Sequence, residues 1–266
     1  MDLQLQGKKA IITGGSAGIG KAIAWQLAQE GCDVAIGARR EGPLQTAATE
    51  IAEATGRKIV PLTLNTMQPD SIKAFVKQAA EALGGIDILA NCAARVGGTV
   101  PDNFDVTTDE QVLADFEEKA VGYLRVSREA APYMKQAGWG RIINLSGGAG
   151  RSPGNGISTG MRNIATAALT KSLANNLGQF GINVVAIYPG STVTEATTER
   201  NRATAERQGK TLDDFMEGMR QASVIRYNVT AEDVAAVAVF LCSPLAIGIT
   251  GEAIAVNGGG SADMHY

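Results

Sequence analysis

The sequence predicts an α/β protein in which a doubly wound, parallel sheet of about seven strands is covered by helices on both faces. Three observations support this class. Short apolar runs alternate with helix-period stretches, most of those stretches end at a glycine, and no repeat or low-complexity linker interrupts the alternation. Because 266 residues are enough to bury one large core, we expect a single domain over residues 1–266.

A cluster of glycines separates the first predicted strand from the first helix. The apolar run 10–12 precedes the turn 13–20, a helix-period run follows, and a second strand at 34–38 lies one crossover later. Such a turn can bring backbone N–H groups and the positive end of a helix against a phosphate. The stretch therefore predicts a pyrophosphate site, with a tight turn that binds no ligand as the alternative.

The later elements repeat this order. Further strands are predicted at 59–64, 86–90, 141–146, 183–187 and 253–256. Helices are predicted at 19–30, 44–55, 71–83, from 107 through 123 towards 132, at 158–179 and after 230. Thr107 and Glu110 have the spacing of a capping box at the first long helix, and Thr230 and Asp233 have it at the last one. The polar stretch 191–226 is interpreted as a mobile flap over the crevice and not as a separate domain.

Composition excludes several classes of function. With 24 basic and 27 acidic residues the formal net charge is −3, which gives no electrostatic reason to expect nucleic acid or an anionic membrane as partner. The three cysteines lie far apart in apolar surroundings and favour free thiols in a reducing, cytoplasmic environment. His265 is the only histidine, so neither a metal cluster nor a histidine-centred triad is expected. No leader or membrane-spanning run is expected either.

Ligands of such sheets bind beyond the carboxyl ends of the strands. We therefore expect Gly14, Asn91, Ser146 and Pro189 to converge on one crevice.

Four linked motifs resemble the short-chain dehydrogenase/reductase family over nearly the whole chain. In order, they are Thr13-Gly14-x-x-x-Gly18-Ile19-Gly20, Asn91-x-Ala93-Ala94, Pro189-Gly190-x-x-x-Thr194 and Val256-Asn257-Gly258-Gly259. The resemblance implies a Rossmann domain, a nicotinamide cofactor, a small carbonyl or alcohol substrate, and a homodimer or homotetramer built by the two long helices. It also implies which residues bind the cofactor: Gly14, Ser16, Gly18, Ile19, Gly20, Asn65 near the adenine, Asn91 and Ala93 along the ribose, and Pro189, Gly190, Thr192 and Thr194 around the nicotinamide.

The choice of cofactor follows from charge. A site for NAD places a carboxylate after the second strand, whereas the 2′-phosphate of NADP needs cations there. Ala38 stands where the family has the acid, and Arg39 and Arg40 follow it. The sequence therefore favours NADP(H). Two solvated loop arginines are the alternative reading.

The catalytic tetrad of the family is replaced. The resemblance puts Thr159 at the position of the tyrosine, Asn163 at that of the lysine, and Lys119 at that of the helix asparagine. The serine falls on Ser146 or on Gly147, depending on a gap of one residue. Lys119 and Asn163 thus look like an exchange of the usual asparagine and lysine between the two long helices.

We hypothesise that Lys119 supplies the cationic amine, while Ser146 and Thr159 bind the substrate oxygen. An aliphatic hydroxyl is a poor acid near neutral pH, whereas a desolvated lysine can have a pKa in the useful range. A solvated or glutamate-paired Lys119 is the alternative. Ser158 and Tyr188 are weaker candidates for the same role, and Tyr188 also fits an ordinary aromatic at the end of a strand.

The leading hypothesis is an NADP(H)-dependent oxidoreductase that transfers hydride between nicotinamide and a small carbonyl or alcohol, with a non-standard proton-handling group. A catalytically silent NADP(H)-binding protein and an enzyme that uses the nucleotide for non-redox chemistry are the alternatives.

Overall fold

The computed structural model describes residues 1–95, 101–151, 154 and 156–260. The glycine pair at 97–98 and His265 lie outside them. The strands are β1 (Lys9–Thr13), β2 (Asp33–Ala38), β3 (Ile59–Thr63), β4 (Ile88–Asn91), β5 (Gly140–Leu145), β6 (Ile182–Pro189) and β7 (Ala253–Val256). The helices are α1 (Gly18–Gln29), α2 (Glu41–Thr55), α3 (Pro69–Leu83), α4 (Asp109–Phe116), α5 (Gly122–Ala137), α6 (Ile157–Leu177), α7 (Glu195–Arg207), α8 (Leu212–Ala222) and α9 (Ala231–Cys242).

The described strands form one seven-stranded sheet in the order β3-β2-β1-β4-β5-β6-β7, and every pair is parallel. The predicted fold class is confirmed. Because β1 lies between β2 and β4, the strand order reverses there, and the connections leave on opposite sides. The reversal opens a crevice at the carboxyl ends of the central strands.

The core consists of two apolar layers, one on each face of the sheet. Neighbouring residues of a strand point to opposite faces, so Ile12 packs into the layer that contains Leu27, and Ile11 into the layer that contains Phe75. All four side chains are at most 1% exposed. Burial of both faces explains why the strands are continuous apolar runs without alternation.

Helix ends follow the glycine signals in the sequence. Gly56, Gly84 and Gly138 end α2, α3 and α5 in the left-handed conformation. The expected cap at Thr107 is wrong by one residue, because Thr108 is the N-cap of α4 and its side chain accepts a hydrogen bond from the N–H of Gln111. Within the described ranges, no helix combines the length and the apolar character needed to cross a bilayer.

The polar stretch 191–226 folds into two helices, α7 and α8. Thr194 begins α7 with a capping box that Thr197 completes. The side chain of Thr211 caps α8, which has no buried residue. The sequence indicated only weak amphipathic character here, but in α8 the apolar residues Leu212, Phe215, Met216 and Met219 share one face of the helix and are partly buried.

A substitution of Gly37 in β2 tests the packing between the sheet and α3. A Cβ at this position would lie 2.8 Å from the Phe75 ring and 2.9 Å from Leu64. We expect Gly37→Ala to lower the free energy of unfolding by about 1–3 kcal/mol in urea titrations, because neither buried side chain has room to move. Gly42→Ala is the matched control, since a Cβ at Gly42 meets nothing within 4 Å. Equal stability of the two variants would contradict the tight packing.

Candidate active site

A cavity of about 1190 Å³ lies at the carboxyl ends of β1, β4, β5 and β6. Its wall includes most of the residues that the sequence singled out. The predicted residues that line it are Gly14, Ser16, Gly18, Ile19, Gly20, Arg39, Arg40, Ala93, Lys119, Ser146, Thr159, Asn163, Pro189, Gly190, Thr192 and Thr194. Residues on both sides of the crevice therefore face one common space.

The glycine turn before α1 requires glycine for two reasons. Gly14 and Gly18 have positive φ angles of 72° and 54°. A Cβ at Gly20 would lie 2.3 Å from the carbonyl oxygen of Gly14. Ala17 is the N-cap of α1 and supplies no side-chain hydrogen bond, so the first N–H groups of the helix have no cap from their own turn. This cradle of backbone donors fits a pyrophosphate.

One of these donors is engaged by the first residue of α7. The N–H of Gly18 donates to the carboxylate of Glu195 at 3.1 Å, across 177 residues of sequence. Glu195 is the first residue of α7 and lines the same cavity. A carboxylate at this amide shows that the helix terminus attracts an anion.

Two arginines follow β2 at the cavity edge. Arg39 is largely exposed, and its Nη1 lies 3.3 Å from Oε1 of the nearly buried Glu118. Among the described residues no ion pair involves Arg40. The absence of a carboxylate at Ala38, together with these guanidinium groups, fits a ligand with a phosphate at this edge.

Asn65 and Asn91 do not line the cavity, contrary to expectation. The side-chain oxygen of Asn65 accepts a hydrogen bond from the N–H of Met67 at 3.1 Å. Asn91 is fully buried and donates to Asn144 Oδ1 at 2.9 Å and to Ser127 Oγ at 3.2 Å. The first amide closes a local turn, and the side-chain N–H groups of the second tie β4 to β5 and α5.

A π-helical turn, Glu117–Val121, joins α4 to α5. A π turn holds one more residue than an α turn, and such turns often occur at functional sites. The Thr66 hydroxyl donates to the carbonyl oxygen of Glu118 at 3.2 Å and so satisfies a backbone acceptor of the widened turn. Lys119 lies in the middle of this turn, is 4% exposed and lines the cavity.

The ammonium group of Lys119 is held by two uncharged oxygens. Its Nζ donates to the carbonyl oxygen of Ser146 at 2.9 Å and to Oδ1 of Asn163 at 2.7 Å. Burial, and then the nearby Arg162 guanidinium, lowers the pKa of Lys119 to about 7. The alternative of a solvated or glutamate-paired lysine is wrong, since the described contacts include no carboxylate within ion-pair distance of Nζ. Lys119 and Asn163, which the sequence indicated as an exchanged pair, are in direct contact.

The hydroxyl candidates differ in their surroundings. Ser146 Oγ donates to the carbonyl oxygen of Asn163 at 2.9 Å. Ser158 Oγ donates to Asp115 Oδ2 at 2.6 Å and is 1% exposed, so its proton is engaged away from the cavity. Tyr188 lines the cavity within hydrogen-bond reach of Ser146, and burial raises its pKa.

Thr159 is oriented by an acidic residue that sequence reasoning missed. Asp102 accepts the N–H of Ser158 at 2.8 Å and that of Thr159 at 2.9 Å, and thereby caps α6 from outside the helix. Partial burial opposes ionisation of Asp102, but hydrogen bonds from Thr159, Ser158 and Thr107 outweigh it and lower the pKa of the carboxyl. No local capping signal identifies Asp102, because it lies 56 residues before Ser158.

A buried charge cluster beside Thr159 was also missed. Asp115 Oδ1 lies 3.4 Å from Arg95 Nη1 and 3.7 Å from Arg162 Nη1. The N–H of Arg95 donates to Oε2 of Glu118 at 3.0 Å. The i, i+3 spacing of Thr159 and Arg162 indicates that Arg162 faces the crevice, but no signal in the sequence indicates that Asp115 and Arg95 meet it there. In the described part of the chain no three metal-ligating side chains come together.

The reversed strand order, the glycine cradle and the cavity define a nucleotide-binding α/β protein of the Rossmann type. The family model described as Enoyl-(Acyl carrier protein) reductase matches residues 14–261. The chain belongs to the short-chain dehydrogenase/reductase family, and it is an oxidoreductase by this membership.

Relatives of known sequence and structure cover nearly the whole chain. "Uncharacterized oxidoreductase YvrD" of Bacillus subtilis (strain 168) is 33% identical over 265 residues, with 97% of this chain and 98% of that protein covered. The 3-oxoacyl-[acyl-carrier-protein] reductase FabG of Aquifex aeolicus (strain VF5) is 31% identical over 268 residues, with 97% and 99% covered. The L-sorbose reductase from Gluconobacter frateurii, complexed with NADPH and L-sorbose, superposes with a TM-score of 0.93 at 27% identity over 99% of this chain and 100% of that one.

The lowered pKa of Lys119 predicts a specific dependence of stability on pH. The pKa is about 7 in the folded protein and near 10.5 in the unfolded chain, so the unfolded chain binds more protons between these values. Lys119 therefore costs stability below pH 7, and the cost falls by about 1.4 kcal/mol per pH unit up to about pH 10.

Urea titrations from pH 6 to pH 9.5 measure this contribution. We expect the stability of the wild-type protein to rise relative to that of Lys119→Met across this range. Lys77→Met is the control, because the Lys77 side chain is 73% exposed. Parallel stability curves for the wild-type protein and Lys119→Met would show that Lys119 titrates normally.

Proposed function

We propose that this protein is an NADP(H)-dependent oxidoreductase that interconverts a small carbonyl compound and the corresponding alcohol, with Lys119 as the proton-handling group. The observation that carries the proposal is the buried Lys119 ammonium, which lines the cavity and has a pKa of about 7. A general acid or base is most effective when its pKa is near the working pH.

The cofactor assignment is supported by the cavity and by the relatives. The glycine cradle before α1 fits a pyrophosphate, and Arg39 and Arg40 fit the additional 2′-phosphate of NADP. The sorbose reductase that superposes on the chain is a complex with NADPH. The Pro189–Thr194 turn would hold the nicotinamide, which supplies a hydride to a carbonyl carbon when it is bound in reduced form.

The side chains around Lys119 would handle the carbonyl oxygen. Lys119 has three N–H donors, of which two are engaged by Ser146 and Asn163. The third would give a proton to the oxygen as negative charge develops there. Ser146 and Thr159 would orient that oxygen once their hydroxyls turn away from the carbonyl oxygen of Asn163 and from Asp102, and Asn163 would fix the position of the amine. Tyr188 is the less suitable acid, because burial raises its pKa.

A homodimer or homotetramer and a cytoplasmic location complete the proposal. Leu113 on α4 is 70% exposed, and Met161 and Ile164 on α6 are 46% and 56% exposed. An apolar surface shared by two helices favours association. The three cysteines are free, as is usual for proteins of a reducing compartment.

Hydride transfer with deuterium-labelled NADPH and a panel of carbonyl compounds tests the proposal. We expect label on the carbonyl carbon of at least one product. Lys119→Met should lower kcat about 10²–10⁴-fold and remove the pH dependence near pH 7, while Lys77→Met should keep wild-type values. An unchanged kcat and pH profile in Lys119→Met would exclude Lys119 as the proton-handling group. Tight NADPH binding with no transfer would instead favour a catalytically silent binding protein.

Preference between the two nicotinamide cofactors tests the role of the arginines. We expect Arg40→Gln to raise the Kd for NADPH about tenfold or more, because a charge-assisted contact to the 2′-phosphate is lost, while the Kd for NADH stays the same. Arg128→Gln is the control, because Arg128 is exposed on α5 and does not line the cavity. Equal weakening of both cofactors in Arg40→Gln would rule out a specific contact with the 2′-phosphate.

A further inference from the structure

The cavity has a large excess of basic side chains. Among the described residues that line it, seven are basic and two, Glu118 and Glu195, are acidic. The basic ones are Arg39, Arg40, Arg95, Lys119, Arg151, Arg162 and Arg200. The whole protein, by contrast, has a formal net charge of −3. A concentration of one sign of charge in a concave site attracts ligands of the opposite sign.

Four of the basic residues form two groups. Arg39 and Arg40 follow β2, where they are assigned to the cofactor. Arg95 follows β4, and Arg162 lies on α6 one turn after Thr159, next to the side chains that would handle the carbonyl oxygen. This second group is therefore at the substrate end of the cavity.

Arg162 is only 3% exposed, yet two of its side-chain nitrogen atoms make no hydrogen bond among the described residues. Its Nη2 donates to the carbonyl oxygen of Arg95 at 2.9 Å, whereas its Nε and Nη1 donate to no acceptor among the described residues. A guanidinium group has five N–H donors in a fixed, planar arrangement. Buried donors without acceptors are costly, and they call for a partner.

Asp115 is the carboxylate within ion-pair distance of both Arg95 and Arg162. Asp115 Oδ1 lies 3.4 Å from Arg95 Nη1 and 3.7 Å from Arg162 Nη1, and neither contact is a hydrogen bond to that oxygen. Asp115 Oδ2 is engaged by the Ser158 hydroxyl. Glu118 accepts the backbone N–H of Arg95 and pairs with Arg39, so it adds little at Arg162. Counted with Arg39, the cluster has three guanidinium groups and two carboxylates, so one positive charge is left without a carboxylate partner among the described residues.

We propose that the substrate is an oxo acid whose carboxylate binds to Arg162 and Arg95 while its carbonyl oxygen lies at Lys119. The proposal rests on the proposed function and names its substrate class. Thr159, which would orient the carbonyl oxygen, and Arg162 lie three residues apart on α6, where Cβ atoms are about 5–6 Å apart, so the carboxylate and the carbonyl would be separated by few bonds. A 2-oxo or 3-oxo acid satisfies this spacing.

The reaction leaves the carboxylate unchanged. The carbonyl carbon gains a hydride, its oxygen gains the proton of Lys119, and the C=O double bond becomes a C–O single bond. The reduced nicotinamide of the proposed function is the reductant and is itself oxidised. The product is a 2-hydroxy or 3-hydroxy acid.

Calorimetry on the protein saturated with NADP⁺ tests the proposal without turnover. The probes are 2-oxopentanoate, 3-oxopentanoate, their methyl esters and pentan-2-one. We expect at least one acid to bind about 10–100-fold more tightly than its ester, as a charge-assisted contact provides. Arg95→Gln should remove most of this difference, and Arg128→Gln should leave it intact.

A double variant addresses the buried pair itself. Arg162→Gln with Asp115→Asn removes both charges together and avoids an isolated buried carboxylate. We expect this variant, with its folding checked by thermal unfolding, to bind the acid and its ester equally.

The outcomes separate this proposal from the proposed function. Binding of the neutral ketone or ester as tightly as the acid, or binding of no acid at millimolar concentration, would overturn the oxo acid assignment. Reduction of a 3-oxoacyl thioester but of neither free acid would also overturn it while leaving the proposed oxidoreductase intact. Binding of the acid that depends on Arg95, without label transfer from NADPH, would keep the anion site and reject the proposed function.

Discussion

The architecture of this protein depends on the position of β1 between β2 and β4. From β1 the chain adds strands towards one edge of the sheet and then, from β4 on, towards the other edge. The connections on the two sides of β1 therefore separate and leave a crevice between them. The first turn of α1, the segment after β4 and the end of β6 all border this space. Parallel pairing along the whole sheet brings their carboxyl ends to one edge, so residues from distant parts of the sequence share one cavity.

The second organising feature is the buried ammonium of Lys119 between two neutral oxygens. A lysine in a salt bridge would keep its proton at all physiological pH values, whereas the carbonyl of Ser146 and the amide of Asn163 stabilise the charge only partly. The π turn explains how α4 and α5 deliver the amine from the wall opposite α6. The protein thereby holds a buried amine in the same cavity as the glycine cradle before α1.

Local signals in the sequence identified most of the fold and part of the site. Turns and helix ends that need a positive φ, such as those at Gly14 and Gly56, can be predicted because they require glycine. Buried strands can be predicted because they are continuous apolar runs. The cap of α4 was misjudged because Thr107 and Thr108 both offer a hydroxyl. The Asp115 cluster could not be predicted, since contacts between residues 20 to 67 positions apart depend on packing distances that no periodicity encodes. Asn91 was assigned to the crevice by its motif, yet the side chain points into the sheet interior.

The contact between Glu195 and Gly18 joins the start of α7 to the glycine cradle before α1. A backbone N–H has one hydrogen to give, and a phosphate oxygen and a carboxylate cannot share it without strong mutual repulsion. A phosphate bound at this N–H would therefore displace the Glu195 carboxylate from it. The protein thus contains its own competing anion at the helix terminus, which would make the cradle bind a phosphate less tightly than its backbone donors alone allow.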